Sequence, residues 1–421
     1  MTDVIALGVE IKTDIQQDLI DISKKRVLII EDIGEMRIML KSLITSMGYT
    51  NIDVEQSGQS ALKRILERSY DVVLSDYNLG GSVDGQQILE ASRKTYSQDY
   101  SNIFIMITAD TAYESVVSAL EFQPDSYLVK PFTPAAFFRR FERVQKQKKI
   151  FQVINDARKE GDFKTMESQA KAIMEKHPNY TSQCLKTIGE SLYARGYYKE
   201  AKSHYTLVIG QNKQLAWAHF GIALCEHKLG AIVAAVAKLE QTINLSRHFM
   251  SAYDLLTDAY EELGNLKDAQ TTMINALKVS PRSSDRVIRL AEISMQLQDW
   301  ETAEQAYSRV IRLTRDTSHE KVEFYYEYLT CLTNLMTSGS ESSRLVDKFK
   351  RTLIRLRSFG KGNPAAISNS FRIEIKQHLA RNHLGEAIKS WHQWSHLIKT
   401  EQASPLTEAQ TYTLKKRLGL L

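Results

Sequence analysis

Five polar residues in the first third of the chain can do chemistry together: Glu31, Asp32, Asp76, Thr108 and Lys130. They supply three carboxylates, a hydroxyl and an ammonium. Clustered carboxylates repel one another unless a cation neutralises them, and their hard oxygen atoms suit Mg²⁺. With a divalent ion bound, one carboxylate can attack a phosphoryl group while the metal and the ammonium stabilise the transferring oxygens. This set of residue types predicts a phosphoryl-transfer site.

Each of these residues stands at the end of a short apolar run. The runs cover 27–30, 72–75, 103–107 and 127–129. Short runs rich in Val and Ile, separated by amphipathic segments, predict buried parallel strands that alternate with helices. Ligands of such sheets bind outside the carboxyl ends of the strands. The five side chains are therefore expected to converge on one pocket.

The segment 25–146 predicts five strands and five helices in strict alternation, which is a doubly wound (βα)5 domain of the α/β class. The strands are predicted at Val27–Ile30, Ile52–Glu55, Val72–Ser75, Ile103–Ile107 and Ser126–Val129. The helices are predicted at Met36–Met47, Ser60–Arg68, Gln86–Thr95, Ala112–Phe122 and Pro134–Lys146.

This segment resembles the receiver (CheY-like) domain of two-component response regulators. The signature segments stand in order at Ile29–Asp32, Leu74–Asn78, Ile107–Asp110 and Tyr127–Phe132. Taken singly, these residues have ordinary structural interpretations, such as a helix cap for Asp32. The joint pattern is much more specific than any of its parts, because the motifs lie in the predicted structural context.

The resemblance implies that Asp76 is the phosphoacceptor of a phosphoprotein in bacterial phosphorelay signalling. It implies that Glu31, Asp32 and Asp76 bind Mg²⁺ together with the backbone carbonyl of Asn78. A sensor histidine kinase or a phosphotransfer protein is the implied donor. The only implied chemistry is phosphotransfer to Asp76 and its slow autodephosphorylation, so the chain is not expected to be an enzyme in the usual sense.

The resemblance also implies a conformational switch. Thr108 is the expected switch hydroxyl, Tyr127 the switch aromatic that follows it, and Lys130 the phosphate partner. In the family the bond corresponding to Lys130–Pro131 is usually cis, so it is expected to be cis here.

Two loops depart from the family pattern. The loop Tyr77–Asp84 lacks the usual proline and is one residue longer, which bears on access to Asp76. The segment Phe122–Asp125 replaces a glycine-containing turn before the last strand, which bears on the choice of partner.

A different period begins after the receiver-like segment. Gly196, Gly230 and Gly264 recur at intervals of 34 residues, each followed five residues later by an alanine, and the next interval brings Gln298 and Ala303. A two-helix unit of 34 residues is typical of tetratricopeptide (TPR) repeats, which stack into a superhelix. Five repeats are expected from about residue 147 to 316. The first of them contains the segment 162–166 and carries one extra residue. The tryptophans are interpreted as packing residues.

The expected organisation is an N-terminal extension at 1–24, a receiver domain at 25–146, a TPR solenoid at 147–316, and a diverged helical repeat with a C-terminal cap at 317–421. The composition is 43% hydrophobic and 25% charged, which is ordinary for a globular protein. No apolar stretch is long enough for a bilayer, and the first 22 residues lack the features of a secretory signal. The cysteines are widely spaced and suit a reducing compartment, so the cytoplasm is expected.

The first functional hypothesis is a phosphorylation-switched response regulator that signals through protein–protein interactions of its TPR domain. A second is a nucleic-acid-binding regulator without a recognisable helix-turn-helix. Its local support is the basic segment 348–361, while a net charge of +5 is modest and does not favour it. A third is a phosphate sink whose repeats serve oligomerisation. The sequence leaves open the cognate kinase, the TPR ligand, the sign of the response and the oligomeric state.

Overall fold

The computed structural model describes residues 22–80, 83–95, 102–109, 124–281, 283–315, 320–337 and 343–421. The predicted helix at 112–122 and most of the N-terminal extension lie outside these residues. The chain divides into two compact units, Met1–Ala259 and Tyr260–Leu421. Within the described residues, no helix combines the length and the apolar character needed to cross a membrane.

A five-stranded parallel sheet forms the centre of the N-terminal part of the first unit, with the strand order β2-β1-β3-β4-β5. The strands are β1 (Arg26–Ile30), β2 (Asn51–Glu55), β3 (Val72–Asp76), β4 (Ile103–Thr108) and β5 (Ser126–Val129). Each lies within one residue of its prediction. The register pairs Asp76 with Ile107 and Thr108 with Val129, which aligns the carboxyl ends of β3, β4 and β5.

Helices cover both faces of this sheet. They are α1 (Gly34–Ser46), α2 (Gly58–Glu67), α3 (Gly85–Thr95) and α4 (Pro134–Glu160). Alternate residues of a strand point to opposite faces. Accordingly Ile29 packs with the residues of α1 and α4, whereas Leu28 packs with those of α2 and α3. The predicted doubly wound receiver fold followed by helices is confirmed.

Helix α4 is longer than predicted, because it continues from Lys146 to Glu160. The prediction ended the helix where the receiver-like motif ends, yet no glycine or proline lies between 135 and 160. The helix ends only at Gly161, which adopts a left-handed conformation with φ of 74°. The first part of α4 packs Phe137 on the sheet, and its last part packs Phe151 against the next two helices.

Pairs of helices follow α4, at the spacing that the repeat predicts. The helices in the first unit are α5 (Phe163–Lys176), α6 (Thr181–Ala194), α7 (Tyr198–Gln211), α8 (Ala216–Lys228) and α9 (Ile232–Leu245), with α10 (Met250–Glu262) spanning the division between the units. The ring of Tyr205 lies between α6 and α8. A Cβ atom on Gly189 or Gly221 would lie 2.4 or 2.5 Å from this ring, so the two glycines make room for it.

The second unit continues with α11 (Leu266–Val279), α12 (Ser284–Gln296), α13 (Trp300–Thr314), α14 (Val322–Thr337), α15 (Ser343–Phe359), α16 (Pro364–Ala380), α17 (Leu384–Lys399) and α18 (Glu408–Arg417). Trp391 and Trp394 are buried, as their interpretation as packing residues predicted, whereas Trp217 and Trp300 are only partly buried. They form a core with Phe371 and Leu418.

The turns between paired helices explain the 34-residue pattern. Gly196, Gly230 and Gly264 have φ of 79°, 77° and 71°, a conformation that glycine adopts without strain. Gln298 and Asn382 take up φ of 57° and 58° between their own helix pairs. The alanine five residues after each of these turns is fully buried. These alanines are Ala201, Ala235, Ala269, Ala303 and Ala387. The helical region therefore has repeats of the TPR type.

Candidate functional site

The site lies at the carboxyl edge of the sheet. Glu31 directly follows β1, Asp76 is the last residue of β3, Thr108 is the last residue of β4, and Lys130 directly follows β5. The amide of Lys130 donates to the carbonyl oxygen of Thr108 at 2.7 Å, which extends the β4–β5 pairing to this edge. The sequence prediction that these strand ends converge is confirmed.

Three carboxylates meet at this edge. Glu31, Asp32 and Asp76 each offer an oxygen atom within 4.8 Å of the others. Glu31 and Asp76 are buried, whereas Asp32 is exposed. Burial together with the charge of Asp76 raises the pKa of Glu31. The cluster thus holds excess negative charge that a bound cation would relieve.

Lys130 connects two of these acids. Its Nζ atom donates to Asp76 Oδ2 at 2.8 Å and to the Glu31 oxygens at 2.8 and 3.1 Å. Burial acts to lower the pKa of Lys130, but the hydrogen bonds and charges of Asp76 and Glu31 outweigh it and raise the pKa. Lys130 is therefore an ammonium at neutral pH, held in contact with the proposed acceptor.

The loop after β3 positions the Asp76 carboxylate. The backbone amide of Asn78 donates to Asp76 Oδ1 at 3.1 Å, so the two Asp76 oxygens have different partners. The amide of Gly85 closes the loop by donating to the carbonyl oxygen of Tyr77 at 2.9 Å. A Cβ atom on Gly85 would lie 2.3 Å from the Asp76 carbonyl oxygen, so this close approach requires glycine. The described part of the loop is held close to Asp76 despite the missing proline.

Arg37 is a residue of this site that the sequence reasoning missed. Its Nη1 atom donates to the carbonyl oxygens of Glu31 and Asp32, both at 2.7 Å. These contacts fix the backbone from which the two acids project. The only sequence signal is the position of Arg37 in the first turn of α1, directly after the acidic pair.

Tyr127 brings the site into contact with α4. Thr108 is 2% exposed, and the half-buried Tyr127 packs with the Leu28 face of the sheet. The guanidinium carbon of Arg140, on α4, lies 5.3 Å from the centroid of the Tyr127 ring, a distance typical of a cation–π contact. The residue expected to act as a switch aromatic is thus adjacent to the helix that enters the repeats. The predicted cis bond at Lys130–Pro131 is confirmed.

At the opposite edge of the sheet, Asp125 joins α3 to α4. Its carboxylate pairs with Arg93 at 2.9 Å and Lys148 at 2.6 Å, and it accepts from the amide of Phe104 at 2.8 Å. Although burial opposes ionisation, Arg93 and Lys148 lower the pKa of Asp125. Lys148 lies in the part of α4 beyond the predicted end. Of the unusual segment 122–125, the described residue Asp125 holds this extension against the receiver-like fold.

Three of the six cations in the basic segment 348–361 have carboxylate partners inside the second unit. Lys348 pairs with Glu304 at 2.6 Å, Arg355 with Glu320 at 2.8 Å, and Arg357 with Glu374 at 2.7 Å. These side chains are partly buried and have carboxylate partners. The segment therefore gives the nucleic-acid hypothesis little support.

Comparisons with known proteins agree with this geometry. Residues 27–142 match the family model of the response regulator receiver domain. The chemotaxis protein CheY-3 of Vibrio cholerae serotype O1 is 28% identical over 119 residues, which cover 28% of this chain and 90% of that protein.

Two solved structures are similar in parts. The response regulator protein TrrA from Thermotoga maritima, in complex with Mg(2+)-BeF, is 28% identical with a TM-score of 0.25, and the match covers 28% of this chain and 98% of that one. A tetratricopeptide repeat protein from Parabacteroides merdae is 18% identical with a TM-score of 0.34, over 66% of this chain and 98% of that one.

Residues 27–142 therefore belong to the response regulator receiver family. The chain is a phosphorylatable response regulator in which helical repeats of the TPR type follow the receiver domain. Receiver domains bind Mg²⁺ at an acidic pocket, and the cluster of Glu31, Asp32 and Asp76 provides such a pocket here.

Proposed function

We propose that Asp76 accepts a phosphoryl group from a sensor histidine kinase or a phosphotransfer protein, and that this modification controls the binding of a protein to the TPR region. One observation carries the acceptor assignment. Asp76 is the carboxylate that shares the Lys130 ammonium with Glu31 and lies within the cluster of three acids. An ammonium and a hard-cation site at one carboxylate suit an in-line attack on phosphorus.

The residues present suit Mg²⁺. Ligand oxygens on one Mg²⁺ ion lie up to about 4.2 Å apart, and the three carboxylates already offer oxygens within 4.8 Å of one another. We assign the ion to Glu31, Asp32, Asp76 and the backbone carbonyl of Asn78. When bound, it would neutralise charge on the phosphoryl oxygens during transfer.

In the transfer, an Asp76 oxygen forms a bond to phosphorus while the phosphorus–nitrogen bond to the donor histidine breaks. Lys130 already contacts Asp76 Oδ2, so its ammonium stabilises the negative oxygens without moving far. Slow hydrolysis of the acyl phosphate by water restores the Asp76 carboxylate. No other chemistry is proposed for the chain.

The response would pass through Thr108 and Tyr127 to α4. The hydroxyl of Thr108 donates to the new phosphoryl group, and Tyr127 moves with it. Arg140 lies against the Tyr127 ring, and its helix continues without a break into the packing of α5 and α6. Displacement at Tyr127 is thereby communicated to the first helical pair as a shift of one rigid element.

We also propose the functional division given by the sequence: an extension at 1–24, the receiver at 25–146, the TPR repeats at 147–316 and a diverged repeat with a cap at 317–421. The first of these boundaries between folded parts falls within α4. A shared helix suits a regulator whose input and output move together. The cytoplasm is the proposed location, because sensor kinases present their phosphoryl donors there.

The acceptor assignment is tested by labelling the full chain with acetyl phosphate and Mg²⁺. Wild-type protein is expected to incorporate phosphate that is labile to acid and to alkali, as an acyl phosphate is, and Asp76→Asn is expected to incorporate none. Asp156→Asn is the matched control, since it removes an exposed carboxylate on α4. Full labelling of Asp76→Asn would refute the assignment.

A further inference from the structure

A cavity of about 800 Å³ lies within the second unit, among α14, α16 and α18. Ligand pockets commonly have volumes of roughly 300–1,000 Å³. None of the residues of the receiver site contributes to it. The cavity is therefore large enough to hold part of a ligand and is separate from the phosphorylation chemistry.

Three cations line this cavity: Arg372 and Lys376 on α16 and Arg417 on α18. Arg372 and Lys376 are four residues apart and so lie on the same helix face. Throughout the part of the chain that the structure describes, no carboxylate oxygen lies within 4.0 Å of these three cations. Arg357, by contrast, pairs with Glu374 of the same helix α16.

Carboxylates in the cavity lining do not balance these charges. Glu327 is the acidic residue among the lining side chains, against the three cations. Burial, together with the charge of Glu292, raises the pKa of Glu327. The cavity therefore carries a net positive charge that suits a negatively charged ligand.

The remaining lining is suited to a polypeptide. Asn334 Nδ2 already donates to the carbonyl oxygen of Thr330 at 3.0 Å, and Gln410 Oε1 accepts from the amide of Thr407 at 3.0 Å. Each amide group therefore keeps part of its hydrogen-bonding capacity for a peptide backbone. Ile373, Leu379 and Leu414 are partly exposed aliphatic side chains of the lining, and they form an apolar floor. An apolar floor rewards burial of aliphatic side chains, whereas a nucleic-acid backbone has none to bury.

We propose that this cavity binds an acidic peptide segment of a partner protein, with ligand carboxylates at Arg372, Lys376 and Arg417 and apolar side chains on the floor. The inference deepens the proposed function, because it rests on the helical region after the receiver having a protein ligand. It places that ligand on the diverged repeat and cap at 317–421 and names the chemistry of the ligand. Nucleic acid is the alternative ligand that the test must separate.

The test measures fluorescence anisotropy of the full-length protein with labelled ten-residue peptide pools. In the first pool Glu alternates with randomised Leu, Ile, Val or Phe, and in the second pool Gln replaces every Glu. The acidic pool is expected to bind at least about tenfold more tightly, since charge-assisted hydrogen bonds are replaced by neutral ones. Equal binding of the two pools, or binding of neither, would overturn the proposal.

Charge reversal locates the binding site. Arg372→Glu and Arg417→Glu are each expected to weaken binding of the acidic pool by about tenfold or more. Lys416→Glu is the matched control, because it makes the same change of charge on the neighbouring residue of α18, outside the cavity lining. Lys416→Glu is expected to bind within about twofold of wild type at 150 mM salt, where exposed charges are screened. Equal loss in Arg417→Glu and Lys416→Glu would contradict the assignment.

Two further measurements test whether the variants are folded and whether the ligand is a nucleic acid. Circular dichroism melts establish that each variant is folded, and Lys376→Gln gives a milder change if a reversal disturbs folding. Competition by a twelve-nucleotide single-stranded DNA as effective as that of the unlabelled acidic pool would overturn the peptide proposal.

Acyl-phosphate labelling of the same samples separates the cavity proposal from the proposed phosphorylation switch. Peptide binding that ignores phosphorylation supports the cavity and contradicts the switch, whereas normal labelling without peptide binding contradicts the cavity alone.

Discussion

The receiver pocket and the cavity of the second unit both contain cations and carboxylates, but they satisfy these charges differently. In the receiver pocket Lys130 contacts both Asp76 and Glu31 within 2.8 Å, and all three side chains are largely buried. In the cavity Arg372 and Lys376 are exposed and have no carboxylate partner among the described residues. The first arrangement prepares a carboxylate for reaction, and the second leaves charge available for recognition. Phosphoryl transfer therefore depends on a cation that is already paired with carboxylates, whereas ligand recognition depends on cations that have no carboxylate partner.

Removal of divalent metal is expected to give the largest difference between the two sites. With excess EDTA, phosphate incorporation from acetyl phosphate should fall to background, because the acids cluster without their cation. Binding of the acidic peptide pool by unphosphorylated protein should be unchanged, since the cavity lining has no corresponding cluster of acids. Anisotropy and labelling on one preparation check both halves. Undiminished labelling in EDTA would contradict the proposed requirement for a divalent metal.

Lys130→Ala and Arg372→Ala compare a paired cation with an unpaired one. Loss of Lys130 leaves Glu31 and Asp76 without their shared cation, and about 3 kcal/mol of receiver stability is expected to be lost. The variant should remain folded, and Mg²⁺ should restore part of this stability. Arg372→Ala should cost within about 0.5 kcal/mol, since an exposed, unpaired side chain is removed.

Urea denaturation, with hydrogen exchange of receiver peptides as the probe, measures the free energy of unfolding of each variant. Equal destabilisation by the two substitutions would contradict the contrast between the two sites. For Lys130→Ala, a normal phosphorylation-dependent conformational change would additionally contradict the role of Lys130 as the phosphate partner.

Asp125→Asn is expected to destabilise the junction between α3 and α4 by about 2 kcal/mol, because Arg93 and Lys148 lose their shared partner. The pKa of Asp125 is lowered in the folded protein, so its contribution is present above the unfolded pKa of about 3.8 and declines as the pH falls through the lower folded value. The difference between variant and wild type should therefore shrink below pH 4. Denaturation curves at pH 7 and pH 3.5 test this, and a constant difference would count against the ion pairs.

A smaller effect than that of Asp125→Asn is expected for Arg140→Ala. Phosphate labelling should stay at the wild-type rate, because Arg140 contacts the Tyr127 ring and none of the acids. Loss of a partly exposed cation–π contact costs about 0.5–1 kcal/mol and should weaken the coupling between Tyr127 and α4. Hydrogen exchange in α4 on phosphorylation would show this as a smaller change than in wild type, and an unchanged response would exclude Arg140 from the pathway.

Sequence periodicity and motif order predicted the parts of the molecule that depend on local pattern. The strand ends that carry Glu31, Asp76 and Lys130 follow from apolar runs, and the turns at Gly196 and Gly230 follow from the repeat. The contacts of Arg37 and Lys148 could not be predicted in this way, because they depend on side chains brought together by tertiary packing.

The cations illustrate the same limit. The basic segment around Arg355 is the most visible charge run of the sequence, yet Lys348, Arg355 and Arg357 are paired within the fold. Arg372, Lys376 and Arg417 are scattered over 46 residues of sequence and meet only when α16 and α18 pack. A charge run in sequence therefore does not distinguish cations that are paired in the fold from cations that remain available to a ligand.

Phosphorylation of Asp76 is proposed to change α4, the helix shared by the receiver and the first helical pair. Hydrogen exchange of peptides covering 134–160 should be measured in wild type and Asp76→Asn, with and without acetyl phosphate and Mg²⁺. We expect exchange in this segment to change when wild type is phosphorylated and to stay the same in Asp76→Asn. Unchanged exchange across 134–160 in fully phosphorylated wild type would contradict it.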